Sequence, residues 1–258
     1  MKFGLNLFSL NKLIQNEKDF TETMFKLKEM GYDYMQFSGA PFDAKLIKKV
    51  SEETNLPVYL THVPLDRIIS DTEKLMEEHS LFGCKNIGLG MIPGKISAND
   101  KEFKTHVEKL NVSAEKMHKN GFKFFYHHHH IEFFKNSEGV KLIDYMVENA
   151  PFINFTLDTY WLQVGGVDIL SYIEKLKGRI ECVHLKDDPI KCKAVDDGVE
   201  FEPAFAPVGD GNLDFKTIMK KMKDAGVKYY FVEQDDACSY ENPLEQVERS
   251  IKYLKKEF

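Results

Sequence analysis

The sequence of 258 residues lacks the features of several specialised classes of protein. It has only four cysteines, and none of them forms a Cys-x-x-Cys pair, so no disulfide framework is indicated and the thiols are expected to be reduced. No apolar run approaches the ~18 residues of a membrane span. Charged residues follow the initial Met too early for a signal peptide. These absences predict a cytoplasmic protein with no membrane partner.

An excess of positive charge is also missing. The chain has 35 Lys and Arg residues against 41 Asp and Glu residues, which gives a net charge of −6. Without a basic face to attract phosphate backbones, we expect no nucleic-acid partner. Hydrophobic residues make up 43% and charged residues 29%, which is an ordinary globular composition. Nothing in the composition marks a linker, so residues 1–258 are predicted to form a single domain.

Eight short apolar runs recur along the chain, with longer segments of helical period between them. This spacing is typical of strands joined by crossover helices, and near-continuous apolar strands are typical of a sheet covered on its faces. A doubly wound open sheet would usually carry a glycine-rich phosphate turn after its first strand, and none is present. The pattern therefore predicts an α/β fold, a single (β/α)8 TIM barrel. The runs are Phe3–Phe8, Tyr34–Phe37, Val58–His62, Asn86–Leu89, Phe122–His127, Ile153–Asp158, Ile180–Leu185 and Tyr229–Glu233.

The segments between the runs contain recognisable helices. Asp71–His79 and Lys101–Lys119 place apolar residues at helical spacing, so His79, His106 and His118 are expected on helix surfaces. Asp187–Phe215 is predicted to be irregular and to fold over the barrel mouth. Several glycines fall where a helix should end in a left-handed residue before the next strand: Gly31, Gly83, Gly121, Gly178 and Gly226.

Polar side chains end several of the predicted strands, on the side of a barrel where its chemistry lies. The fifth to eighth strands end in potential metal ligands, including Glu132, Asp158, His184 and Glu233. Carboxylates that follow apolar runs are costly to bury unless they are paired or metal-bound. Taken singly, Asp158 or His184 is more simply a buried structural residue, but together the four favour a site. An oxygen-rich set of this kind suits Mn²⁺, Mg²⁺ or Co²⁺, and Lys186 would offset part of the negative charge.

The run of four histidines, His127 to His130, has several interpretations. It is internal and therefore unlike an affinity tag, and it could be a solvated loop. In an extended segment, His127 and His129 face one way while His128 and His130 face the other. At most two of them should therefore reach the pocket.

The sequence resembles the xylose isomerase-like barrels described as sugar phosphate isomerases/epimerases. The resemblance covers nearly the whole chain from Lys2, and it is carried by the motifs THVPLDRI, YHHHHIEF, LDTYW, VHLKD, VGDGNLDF and FVEQDD. It implies that one divalent metal ion, with Mn²⁺ favoured, is bound by a Glu-Asp-His-Glu set. By position this set is Glu132, Asp158, His184 and Glu233. Relatives place a glutamate where this chain has His127, so a histidine is the alternative ligand from the fifth strand.

The resemblance further implies that Glu132 and Glu233 exchange a proton with the substrate as catalytic residues. His62, His127, His129, Trp161 and Lys186 are expected to bind the substrate. Trp161 and Phe8 would either form an apolar wall against it or simply pack at the barrel mouth. The VGDGNLDF loop is expected either to cover the substrate or to serve only as a tight turn before a helix.

The expected function is isomerisation or epimerisation of a small sugar or keto-sugar through an enediolate. A dehydratase acting on a keto-sugar or keto-inositol begins with the same proton abstraction and stays open as an alternative, as does a sugar-binding barrel without catalysis. An endonuclease for abasic DNA shares the fold, but the negative charge argues against it. A homo-oligomer is compatible with the sequence. A phosphorylated substrate would require a cationic cluster, and the candidate residues for it are Lys186, Lys191 and Lys193.

Overall fold

The computed structural model describes residues 1–258 and contains ten β-strands. Eight of them form a closed barrel in the order β1-β10-β7-β6-β5-β4-β3-β2, and the other two, β8 and β9, form a separate two-stranded sheet. The strands are β1 Gly4–Asn6, β2 Tyr34–Phe37, β3 Val58–His62, β4 Asn86–Leu89, β5 Lys123–His127, β6 Ile153–Asp158, β7 Cys182–Leu185, β8 Ile190–Val195, β9 Gly198–Pro203 and β10 Tyr229–Val232.

Helices follow the barrel strands and surround the barrel. None of them is long and apolar enough to cross a lipid bilayer. Three short 3-10 helices lie at Leu7–Leu13, His130–Phe133 and Ala237–Ser239. The α-helices are α1 Glu17–Met30, α2 Ala44–Thr54, α3 Leu65–Ser70, α4 Thr72–Leu81, α5 Gly94–Ser97, α6 Asp100–Lys119, α7 Leu142–Asn149, α8 Thr159–Val164, α9 Ile169–Lys175, α10 Phe215–Asp224 and α11 Pro243–Glu257.

The predicted (β/α)8 barrel is confirmed. Every neighbouring pair of barrel strands is parallel, and β1 closes the barrel by pairing with both β2 and β10. Each of the eight predicted runs contains one barrel strand, and the two predicted helices correspond to α4 and α6. The five glycines expected at helix ends all have a positive φ, between 73° and 99°.

Two layers of side chains fill the interior of the barrel. The lower layer is apolar and consists of Tyr34, Leu60, Phe125, Cys182 and Phe231. Gly4 makes room for it, because a Cβ at that position would lie 2.4 Å from the Tyr34 ring. Side chains alternate along a strand, so the residue two positions further on points inward one layer higher. That upper layer is polar and contains Gln36, His62, His127, His184 and Glu233.

The segment after the seventh strand corrects one expectation. Asp187–Phe215 is not irregular throughout, because β8 and β9 form an antiparallel hairpin whose residues are all exposed, while the rest of the segment up to Asp214 has no helix or strand. The signal was present as alternating apolar and charged residues on both sides of Asp196-Asp197-Gly198, and the turn residues are Asp196 and Asp197, because Val195 pairs with Gly198. Lys191 and Lys193 pair across the strands with Glu202 and Glu200. The hairpin lacks the continuous apolar run that marks a barrel strand, and the sequence reading therefore missed it.

The expected surface position of His79 is wrong. Its side chain is fully buried between α4 and the barrel, where Nε2 lies 2.7 Å from Thr61 Oγ1 and Nδ1 lies 2.7 Å from the Leu75 carbonyl oxygen. His118 is exposed and His106 is half-buried. Helical period alone does not separate a buried polar residue with two hydrogen-bond partners from a surface one.

Candidate metal centre

Four buried side chains bring their ligand atoms together in the upper layer of the barrel. They are His127, Asp158, His184 and Glu233, and one ligand atom from each lies within 4.8 Å of all the others. The strand register explains part of this, because Asp158 is the direct partner of His184 across β6 and β7. Asp158 also caps α8, since its Oδ1 accepts a hydrogen bond from the Trp161 amide. This leaves Oδ2 free to face the cluster.

The separations within the cluster fit a single divalent ion. His184 Nδ1 lies 2.9 Å from Glu233 Oε2, 3.1 Å from His127 Nε2 and 3.6 Å from Asp158 Oδ2. His127 Nε2 lies 3.2 Å from Asp158 Oδ2 and 4.0 Å from Glu233 Oε2. Ligand atoms ~2.1 Å from a tetrahedral ion lie about 3.4 Å from one another. Glu233 Oε2 is buried and its nearest polar neighbours, His184 Nδ1 at 2.9 Å and Lys186 Nζ at 3.0 Å, are groups that can carry positive charge, as expected for an oxygen that binds a cation.

Positive charge near the cluster comes from Lys186. Its Nζ is buried 3.0 Å from Glu233 Oε2, 3.6 Å from Asp158 Oδ2 and 2.8 Å from Asp235 Oδ1. Burial alone would raise the pKa of Asp158, but Lys186 and His184 outweigh it and lower the pKa to about 2. Burial likewise opposes ionisation of Glu233, and the same two cations hold its pKa well below the usual value. Both carboxylates are therefore ionised and able to bind a metal.

His184 supplies the second cation when no metal is bound. Burial lowers the pKa of this ring, but Glu233 and Asp158 outweigh burial and raise it to about 9. Its Nε2 lies 2.8 Å from the side-chain oxygen of Gln36, so Nδ1 is the atom that faces the two carboxylates. Lone pairs at these distances repel one another unless a proton or a metal ion lies among them. The cluster is therefore a site for positive charge.

A cavity of about 370 Å³ opens above the cluster. Burial lowers the pKa of His62 to about 3 and that of His129 to about 4, so both rings are neutral hydrogen-bonding groups. A larger hollow of about 450 Å³ beside Phe134 contains none of the cluster residues, and we assign the chemistry to the smaller one. Its lining residues are Phe8, Ser38, Gly39, His62, Gly90, Met91, His127, His129, Glu233 and Asp235.

Glu132 does not lie in the cluster. The Tyr126 hydroxyl donates a hydrogen bond of 2.6 Å to Oε1, and the His129 amide donates one of 2.6 Å to Oε2. Glu132 lies beyond the end of β5, so strand alternation does not carry its side chain into the barrel. His127 provides the fifth-strand group instead. The sequence reading held this residue as the alternative.

The remaining predicted site residues divide between the cavity and its surroundings. His127 and His129 share the cavity wall, while His128 points behind it and accepts a hydrogen bond from the Asp158 amide through Nε2. Phe8 lines the cavity, but Trp161 packs outside the lining, 5.1 Å from the His129 ring and 5.0 Å from Lys186 Nζ.

The VGDGNLDF loop is tied to the end of β7. The carboxylate of Asp187 is buried and accepts hydrogen bonds from the amides of Gly209, Gly211 and Leu213. A Cβ at Gly211 would lie 2.3 Å from this carboxylate, so the loop needs glycine there. Asp214 then caps α10 through the Thr217 amide. These contacts give the loop a structural role.

Two supporting residues were missed by the sequence reading, Asn6 and Gln36. Asn6 donates a hydrogen bond from Nδ2 to Glu233 Oε1, and its own Oδ1 accepts one from Ser38 Oγ. Gln36 lies between His184 and His62. The strand alternation could have identified Gln36. It lies two residues after Tyr34 of the lower layer, just as His127 lies two residues after Phe125.

The fold and the cluster together define a TIM barrel with a candidate divalent-metal centre at the carboxyl ends of its strands. The model of the xylose isomerase-like TIM barrel family matches residues 25–257, and the chain belongs to this family.

Relatives of known structure or name agree with this assignment. The chain is 31% identical to an inosose dehydratase of Clostridium perfringens, over 90% of this chain and 85% of the relative. A sugar phosphate isomerase/epimerase structure from Parabacteroides distasonis superposes with a TM-score of 0.81 at 22% identity, over 99% of this chain and 94% of that chain. Another from the same organism has a TM-score of 0.77 at 26% identity, over 99% and 98%. The resemblance seen in the sequence is confirmed.

Proposed function

We propose that the protein is a metal-dependent dehydratase of a neutral polyhydroxy ketone of the keto-inositol (inosose) class. The observation that carries this proposal is the position of Glu233, the one glutamate that belongs both to the cluster and to the cavity wall. The 31% identity to an inosose dehydratase over most of the chain supports the choice of substrate class.

One divalent ion would be held by His127, Asp158, His184 and Glu233, and when bound it would polarise the substrate carbonyl. The donor set has two nitrogens and two oxygens. This set suits Mn²⁺ or Co²⁺ better than Mg²⁺, which prefers oxygen alone.

The proposed reaction is the elimination of one water molecule. Glu233 takes the proton from the carbon next to the carbonyl, and the electron pair of that C–H bond forms the new C=C bond. The C–O bond of the β-hydroxyl breaks with its electron pair, and the departing oxygen takes a proton from an acid in the cavity wall. Asp235 is the group of the wall that could supply it, because burial and the nearby Glu233 raise its pKa to about 6, whereas the neutral ring of His129 has no acidic proton to give.

Epimerisation is the second candidate, supported by the description of the relative that is 26% identical. An epimerase that works with two carboxylates needs one on each face of the substrate. Glu132, the expected partner of Glu233, is bonded to Tyr126 and His129 instead and does not line the cavity. Elimination needs only one such base, and this difference favours the dehydratase.

The lining of the cavity also bears on the substrate's charge. It contains neither arginine nor lysine. Lys186 is buried and paired with three carboxylates, while Lys191 and Lys193 lie on the exposed hairpin. A phosphate group would therefore enter a cavity whose charges are carboxylates, and we propose an unphosphorylated substrate.

The test is incubation of the Mn²⁺-loaded protein with an inosose in D₂O, followed by mass spectrometry and NMR. A product lighter by one water is the expected result. Deuterium incorporation with an inverted carbon and no loss of water would establish the epimerase instead. Binding without exchange or product would mean a barrel that only binds sugar, and faster turnover of a phosphorylated ketose would contradict the neutral substrate.

A further inference from the structure

Gln36 lies where it contacts two histidines of the site at once. Its side chain is fully buried in the upper layer of the barrel on β2. The side-chain oxygen lies 2.8 Å from His184 Nε2, and the side-chain nitrogen lies 3.0 Å from His62 Nε2. An amide oxygen only accepts hydrogen bonds and an amide nitrogen only donates them. When both rings are neutral, they must therefore carry their single protons on different atoms.

We propose that Gln36 is a positioning residue that sets the tautomers of His184 and His62 together. This inference rests on the proposed metal centre. At His184 the amide oxygen accepts the Nε2 proton, so the lone pair of Nδ1 points at Asp158 and Glu233, where the ion would be held. Groups that orient a metal-binding histidine in this way contribute about 10–100-fold to metal affinity or activity.

At His62 the same amide has the opposite effect. Its nitrogen donates to Nε2, which must therefore lack a proton, and the single proton of the neutral ring lies on Nδ1. This atom is next to Gly90, where a Cβ would approach it to 3.3 Å, and both residues line the cavity. His62 thus offers the substrate a hydrogen-bond donor. One glutamine links metal binding on one side to substrate recognition on the other.

Two substitutions separate these effects. Gln36→Leu removes both hydrogen bonds at similar volume. Gln36→Glu keeps an acceptor for His184 but forces His62 to donate from Nε2, which turns Nδ1 into an acceptor. Gln246→Leu is the matched control, because Gln246 is a buried glutamine on α11 that has no contact with the cluster.

The experiment measures Mn²⁺ affinity by calorimetry, together with kcat and KM on an inosose, for the wild type and the three variants. We expect Gln36→Leu to bind Mn²⁺ ~10-fold or more weakly, and Gln36→Glu and Gln246→Leu to keep wild-type affinity. Gln36→Glu should instead raise KM, because the donor of His62 is lost. Circular dichroism and thermal melting check that each variant is folded.

Failure of the metal centre and failure of the role of Gln36 give different results. If the wild type does not bind Mn²⁺ or Co²⁺, the metal centre itself is wrong and the role of Gln36 fails with it. If the wild type binds metal and folded Gln36→Leu binds it equally well, only the role of Gln36 is overturned. Equal weakening in Gln36→Leu and Gln36→Glu would also overturn it, because the retained acceptor would then have no effect.

Discussion

Glu233 and Glu132 both follow a buried strand of the barrel, and their side chains are 3% and 0% exposed. Their surroundings differ. Glu233 faces the cationic Lys186 and His184, and its pKa is held well below the usual value although burial opposes this. Glu132 faces only neutral donors, the Tyr126 hydroxyl and the His129 amide, and burial raises its pKa to about 7.

The comparison shows that position after a strand does not make a buried carboxylate a metal ligand. Two hydrogen bonds satisfy the oxygens of Glu132, which then fixes the loop after β5. One oxygen of Glu233 is held by Asn6, and the other is left toward the cluster. We infer that Glu233 belongs to the chemistry and Glu132 to the scaffold.

The largest expected effect is on turnover. Glu233→Gln keeps an oxygen ligand at nearly the same volume but cannot take a proton, so turnover of an inosose should fall ~10²–10⁴-fold. Glu132→Gln should stay within about tenfold of the wild type, because it removes no base from the cavity. Steady-state kinetics and wash-out of the substrate hydrogen into D₂O measure both. Wild-type turnover of Glu233→Gln would refute the proposed mechanism, and equal losses would erase the distinction between the two glutamates.

The second effect is on metal affinity and separates the histidines that belong to the cluster from those that do not. His127 lies in the cluster, whereas His130 is exposed and outside the cavity. His184→Ala and His127→Ala should each weaken Mn²⁺ binding by ~10-fold or more while the barrel stays folded. His130→Ala is the control and should bind normally, as should Glu132→Gln. Mn²⁺ affinity is measured by calorimetric titration. Full affinity in His127→Ala would mean that His127 is not the metal ligand from the fifth strand.

The sequence was sufficient to predict the barrel, since each barrel strand lies within an apolar run and the helices between them have apolar residues at helical spacing. It also marked Asp158, His184 and Glu233, because polar groups at strand ends are conspicuous. The choice between Glu132 and His127 depended on where β5 ends, because His127 is its last residue and Glu132 lies in the 3-10 helix that follows. A family motif does not resolve that choice, but the alternation from Phe125 does. Gln36 was not predicted, because an uncharged amide within a strand does not by itself indicate a buried polar site. The hairpin was not predicted, because its strands are exposed and have no continuous apolar run.

The smallest expected effect is on stability and follows from the raised pKa of Glu132. The unfolded chain releases this proton near the ordinary pKa of 4.5, whereas the folded protein keeps it to about 7. Between these values the unfolded state binds fewer protons, so the free energy of unfolding should fall as pH rises. A shift of this size corresponds to about 2 kcal/mol between pH 5 and pH 7.

Glu132→Gln isolates this contribution, because glutamine does not titrate. Its oxygen can accept from the His129 amide while its nitrogen donates to the Tyr126 hydroxyl oxygen, so the loop should keep its structure. Urea unfolding at pH 5, 6 and 7 should therefore show the wild type losing stability relative to Glu132→Gln as pH rises. Glu108→Gln, at an exposed glutamate on α6, is the control and should follow the wild type. A constant difference between wild type and Glu132→Gln across this range would mean that Glu132 is ionised throughout. It would then need a cation nearby, as Glu233 does, and the contrast between the two glutamates would be lost.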